Sequence, residues 1–106
     1  GVSKEKAKAL VDDARRLASA YPRDVPVLLA AAEAEYDAQN DREAELLADR
    51  VLQLDPSNTR ARIYRGRIAM RRAKSDPKQF AIARREFIAA NKSDTENPVP
   101  LVGYYL

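Results

Sequence analysis

The sequence predicts an all-α array of antiparallel helix hairpins, and three observations carry that expectation. Apolar residues recur at helical spacing through most of the chain, in amphipathic segments separated by short polar breaks. One pattern occurs three times: Leu10, Ala14 and Leu17 lie 34 residues before Ala44, Ala48 and Val51, and Ala83, Phe87 and Ala90 lie 39 residues after them. Proline punctuates the repeat, since Pro22 and Pro56 are also 34 residues apart, while Thr95 stands in the third place, in DTEN where the earlier turn reads DPSN. A period of this size marks stacked supersecondary units, none of which can bury its apolar face alone.

The first helix is expected over Ser3–Ala20, with Ser3 as N-cap and Leu10, Ala14, Leu17 and Tyr21 as one apolar stripe ended by Pro22. Asp24 caps the second helix, Pro26 is tolerated in its first turn, and the helix runs to about Ala38. Its Leu28, Leu29, Ala31, Ala32, Ala34 and Tyr36 cover a wide arc, so it has neighbours on more than one side. Asn40-Asp41 is a tight turn, and Asp41 caps the third helix, whose AELLADRVLQLDP stretch ends at Pro56. Ser57 or Asn58 caps the fourth helix, Thr59–Ala73, which carries Gly66 in its middle. A mid-helix glycine costs about 1 kcal/mol relative to alanine, and close approach of a neighbouring helix is the reason expected for it. Lys74–Lys78 is a longer break that absorbs five inserted residues. A fifth helix follows over Pro77–Asn91, with Phe80, Ile82, Ala83, Phe87, Ile88 and Ala90 apolar, and Asn97-Pro98-Val99-Pro100 opens a truncated sixth at Leu101–Leu106. The division is therefore 1–22, the second helix of a leading unit; 23–57 and 58–96, two complete units; and 97–106, the start of another. An open Tyr-Tyr-Leu end and an unpartnered first helix are the features expected of a piece of a longer array.

Hairpins repeating every 34 residues, with an Asp-Pro turn after the second helix, resemble the tetratricopeptide repeat (TPR) family. In the central unit Leu28 or Leu29, Ala32 and Tyr36 resemble the family's large, small and aromatic first-helix positions. Ala44, Val51 and Pro56 resemble its second-helix alanine, second small position and terminal proline. Gly66 falls on the small first-helix position of the next unit, and Ala83, Phe87 and Ala90 resemble its small–aromatic–small signature. The departures are Thr95, the five-residue insertion, a one-residue slip at Asn40-Asp41, and Arg62 and Arg65 at positions usually apolar. The resemblance implies a right-handed superhelical solenoid that grips an extended peptide or a partner helix on a concave face lined by first helices. The Ala/Arg-rich style of the repeats points to a larger bacterial multi-repeat protein.

Composition bounds the chemistry. With no His and no Cys, the chain lacks the commonest acid–base, nucleophilic and metal-ligating side chains. Its three glycines form no phosphate loop, so no enzyme activity and no cofactor are expected. Glu33 and Asp37 share a helix face with Asp41 following, an arrangement that reads as a solvated acidic surface before it reads as a cation site. No apolar run approaches the roughly 20 residues that span a bilayer, and the N-terminal Lys4, Lys6 and Lys8 precede a charged helix, not an apolar one. The composition fits the cytoplasm and the periplasm alike.

The net charge of +3 hides a strong asymmetry. Asp24–Asp55 holds nine carboxylates against Arg42 and Arg50, while Arg60–Arg85 holds ten basic residues against Asp76. Such blocks either pair between neighbouring helices or steer a partner. On the fourth helix Arg60, Tyr64, Arg67 and Arg71 follow four-, three- and four-residue steps and share a face. Arginine offers a planar fork to carboxylates, and tyrosine an apolar area with a polar tip. These four, with Tyr36 and Asp37 of the preceding first helix, form the candidate partner-binding set; the competing reading packs Tyr64 between helices and pairs the arginines with the acidic unit. The Lys/Arg/Asn clamp by which some members of the family hold a C-terminal carboxylate is not matched, because the central first helix has no Lys or Asn in its body. The expected role is a protein–protein interaction scaffold for a peptide or helix of complementary charge. A self-association module acting through exposed end helices is the alternative. Nucleic acid is the class-different rival: the arginine block suits phosphates, but the acidic block repels them and aromatics for stacking are sparse.

Overall fold

A computed structural model describes residues 2–93, with side chains from Lys4 to Lys92. Five helices follow in order: α1 (Val2–Ala20), α2 (Val25–Asp37), α3 (Asp41–Leu54), α4 (Thr59–Arg72) and α5 (Gln79–Ser93). No strand occurs among the described residues. Each helix packs on the next, and α2 also reaches past α3 to touch α4. The arrangement is all-helical and repeat-like. The expected sixth helix at Leu101–Leu106 and the turn at Thr95 lie outside the described residues.

The helix starts follow from local chemistry. The Asp24 carboxylate accepts from Val27 N at 3.1 Å, and Asn58 Oδ1 accepts from Ala61 N at 2.9 Å, each satisfying an amide that has no intrahelical partner. Asp55 holds the turn before α4, accepting from Ser57 Oγ at 3.3 Å and Asn58 Nδ2 at 3.1 Å. Three expected boundaries shift. The first helix already includes Val2, so Ser3 is inside it and not its cap. Asp41 is the first residue of α3 and Asn40 occupies the cap position, but the Asn40 side chain makes no cap bond. It donates instead to Glu35 Oε1 at 2.9 Å. The fifth helix starts at Gln79, because Pro77 belongs to a turn in which Asp76 accepts from Lys78 N at 3.3 Å.

The α2–α3 connection is short and strained at one point. Gln39 adopts φ 64°, the left-handed region that L-residues other than Asn and Asp avoid. This conformation lets Asn40 N donate to Glu35 O at 2.8 Å and Gln39 N to Tyr36 O at 2.9 Å, closing the end of α2.

Small residues dominate the core. Ala32, Ala44, Ala48, Ala61 and Ala90 are fully buried, which brings helix backbones close, and Leu28, Val51 and Ile68 fill the space between them. Gly66 belongs to this scheme. A Cβ built on it would stand 2.6 Å from the Phe87 ring, so α4 and α5 meet there only because the side chain is missing.

The apolar stripe of α1 lies one residue away from its expected register. Val11 and Ala18 are buried and Ala14 packs against the core, whereas Leu10, Leu17 and Tyr21 are exposed. Among the described helices α1 packs on α2 alone, and the close contact selects its small face. On α5, Ala83 and Ala90 are buried and Phe80 and Ile88 are exposed.

Candidate partner-binding face

The six residues singled out from sequence divide into three groups. Tyr36 and Tyr64 meet edge to face across α2 and α4, with ring centroids 5.8 Å apart. Tyr64 is 7% exposed and belongs to the packing. Burial, with Glu33 nearby, pushes its hydroxyl pKa up; a hydrogen bond and charge from Arg60, and the charge of Arg67, act against that.

Arg71 is tied into the same junction. Its guanidinium carbon sits 3.9 Å from the Tyr36 ring centroid, and Nη1 donates to Tyr36 O at 3.1 Å and to Asp41 Oδ1. One side chain thus joins α2, α3 and α4. Burial is partial for both members of the Arg71–Asp41 pair.

Arg60 and Arg67 form the second group. Arg60 Nη2 lies 3.9 Å from Glu33 Oε2, a loose contact between exposed side chains. Arg67 stands over Tyr64 at 5.8 Å and, among the described residues, pairs with no carboxylate. Asp37 is the third group: it is exposed and faces a different groove, between α1 and α2.

The exposed stripe of α4 extends beyond the residues expected from sequence. Arg60, Arg67 and Met70 are exposed and Ile63 is half-buried, at three- and four-residue steps along one face of α4, and the exposed Lys74 follows in the turn after the helix. Arg67, Met70, Arg71 and Lys74 join Tyr36 in lining a shallow cleft of about 310 Å³. The three-residue step from Arg67 to Met70 is the sequence signal that places Met70 on this face.

The remaining arginines of α4 are consumed by ion pairs. Arg72 Nη1 meets Glu45 Oε2 at 2.9 Å, and Arg65 Nη1 meets Asp49 Oδ1 at 3.1 Å, both on α3. Arg62 Nη1 and Arg65 Nη2 hold the buried Glu86 of α5 at 3.1 and 3.3 Å. Arg62 and Arg65 therefore sit at positions expected to be apolar because a buried carboxylate faces them. Burial raises the Asp49 pKa; Arg65 opposes that rise, and Glu45 and Glu86 add to it. The Asp49 Oδ1 atom is buried without a well-aligned hydrogen bond despite its distance from Arg65.

A second buried carboxylate closes the other end. Glu35 of α2, 2% exposed, accepts from Arg15 Nε at 2.8 Å, Arg15 Nη2 at 3.1 Å and Asn40 Nδ2 at 2.9 Å. Burial alone would raise its pKa, but the hydrogen bonds from Arg15 and Asn40 and the charge of Arg15 together hold it below the usual carboxylate range.

No helix among the described residues is long and apolar enough to cross a membrane. No family model, no curated protein and no solved structure matches this chain.

Proposed function

We propose that the chain is a TPR-like interaction scaffold whose α4 face binds an acidic peptide or helix of a partner protein. The observation that carries this reading is the exposed stripe Arg60–Ile63–Arg67–Met70–Lys74. Arg62, Arg65, Arg71 and Arg72 are paired with carboxylates of α3 and α5, yet Arg67 pairs with no described carboxylate and Arg60 makes only a loose contact. Cations alternating with apolar side chains suit a ligand that presents carboxylates beside an apolar strip. Tyr36 and Arg71 wall the cleft next to it and are held rigid by their own packing. Right-handed superhelical stacking of the hairpins, with α2 and α4 as first helices, belongs to the same proposal; the repeated positions of buried alanine support it.

The test is an array of acid-rich, basic and neutral 15-residue peptides probed with the full chain. Acid-rich peptides should be retained, and Arg60→Glu with Arg67→Glu should abolish retention while leaving the melting temperature near that of the wild type. Retention unchanged by that pair of substitutions would remove this face. Arg71 is unsuited to the test, because reversing its charge would break the α2–α3–α4 junction as well. A salt titration with DNA and RNA separates the nucleic-acid alternative.

A further inference from the structure

The cleft at the C-terminal end of α4 has an unequal charge balance. Tyr36, Arg67, Met70, Arg71 and Lys74 line it. Arg71 is offset by Asp41, and its guanidinium is fixed against the Tyr36 ring. Arg67 and Lys74 are exposed, and neither pairs with a carboxylate among the described residues. Three cations and one carboxylate thus meet at one small cleft, and two positive charges stay unmatched. The surplus is local: Arg60 has Glu33 at 3.9 Å, and Arg62, Arg65 and Arg72 are held by α3 and α5.

Spacing brings the two free cations to one place. Arg67 and Lys74 are seven residues apart, about 10 Å along the helix direction, with Met70 and Arg71 between them. Two long side chains close that distance from either side. A single carboxylate placed between them would match one cation and leave the other. A phosphomonoester carries about −1.5 to −2 charges at neutral pH and three acceptor oxygens, and matches both. The arginine fork takes two of those oxygens, and the lysine acts as a point charge.

We propose that the cleft holds a phosphorylated serine or threonine of the bound segment, clasped between Arg67 and Lys74. This inference rests on α4 being the binding face and names the residue that the acidic segment places there. A polynucleotide fits the same cations less well. The neighbouring α2 presents exposed Glu33 and Asp37, which oppose a backbone charged at every phosphate.

The probe is a fluorescein-labelled peptide, EALEEL-X-EALEEL, in which X is phosphoserine, aspartate or serine. Anisotropy is measured against the full chain. The phosphoserine peptide should bind at least about tenfold more tightly than the aspartate peptide. Its advantage should grow from about pH 5.5 to about pH 7.5, as the phosphate loses its second proton near pH 6. The chain has no histidine, so the ligand's own ionisation sets that rise. Lys74→Gln, and separately Arg67→Gln, should bring the dissociation constants of the two peptides together. Neither residue has an ion pair within the described fold, and circular dichroism checks that both variants stay folded.

Equal binding of the phosphoserine and aspartate peptides would overturn the inference and leave the acidic-segment reading standing. Binding of neither peptide would remove both. A phosphoserine preference that survives both glutamine variants would place the phosphate elsewhere and overturn the assignment. So would tighter binding of an oligothymidylate, which would assign the cations to nucleic acid. Displacement of the phosphopeptide by inorganic phosphate at concentrations near the peptide's own Kd would assign the cleft to the free ion and overturn it as well.

Discussion

Gly66 shows what a single missing side chain does. Alanine there would gain helix propensity of about 1 kcal/mol, but its Cβ would intrude on the Phe87 ring. The clash outweighs the gain, and Gly66→Ala should destabilise the chain by about 1–2 kcal/mol in urea unfolding. Gly66→Ala with Phe87→Leu should recover part of that loss, and simple additivity would contradict the contact. Gln39 offers the opposite sign. Gln39→Gly relieves the left-handed backbone at φ 64° and should stabilise by about 0.5–1 kcal/mol, after the entropy that glycine adds to the unfolded chain. A lowered urea midpoint would refute that. The role of Gly66 was legible in sequence, since a glycine inside a helix needs a close neighbour. Gln39 was not, because glutamine carries no sign of a positive φ.

Glu35 links residue chemistry to pH. Its folded pKa is lowered, so the unfolded chain takes up the proton first as the solution is acidified. Its contribution to stability is therefore present above the unfolded glutamate pKa of about 4.3 and is lost as pH falls through the lower folded value. Stability measured from neutral to acid pH should fall less steeply in Glu35→Gln, which should also melt several degrees lower at neutral pH. Parallel pH profiles for the two proteins would contradict the assignment.

At the scale of elements, the charge blocks serve helix contacts first. Arg72 with Glu45 and Arg65 with Asp49 join α4 to α3, and Arg62 and Arg65 clamp Glu86 between α4 and α5. Glu86→Ala would leave two part-buried guanidinium groups facing each other and should cost about 3 kcal/mol by chemical denaturation. Replacing the whole cluster, with Arg62→Met, Arg65→Met, Glu86→Leu and Asp49→Leu, should restore most of it, since an apolar cluster of similar volume serves such a site as well. Failure of that fourfold variant to recover would mean that the ion cluster specifies the α4–α5 contact. Helix order and four of the turns were readable from periodicity, prolines and cap residues. The face of α1 was not, because Leu10–Ala14–Leu17 and Val11–Ala14–Ala18 are both helical stripes, and only contact with α2 decides between them.

Across the whole molecule, the 34-residue pattern was the sequence feature with the longest reach. It matches the succession of packed helices and pairs the exposed Leu10 and Leu17 of α1 with the buried Ala44 and Val51 of α3. The proposed partner-binding face was legible only in part. Arg60 and Arg67 are on the exposed side of α4, Tyr64 and Arg71 are drawn into packing, and Met70 and Lys74 complete the stripe. Spacing identifies which residues share a helix face, but a face becomes core or surface according to which helix lands on it.

The central claim is that α4 offers its basic stripe to an acidic segment. The most direct measurement is a titration of the ¹⁵N-labelled chain with an acid-rich helical peptide retained by the array, followed by amide chemical shifts. The account predicts saturable shifts along Arg60, Ile63, Arg67, Met70 and Lys74, with the neighbouring Tyr36 moving as well. Shifts confined to α3 or α5, or none at saturating peptide, would contradict it.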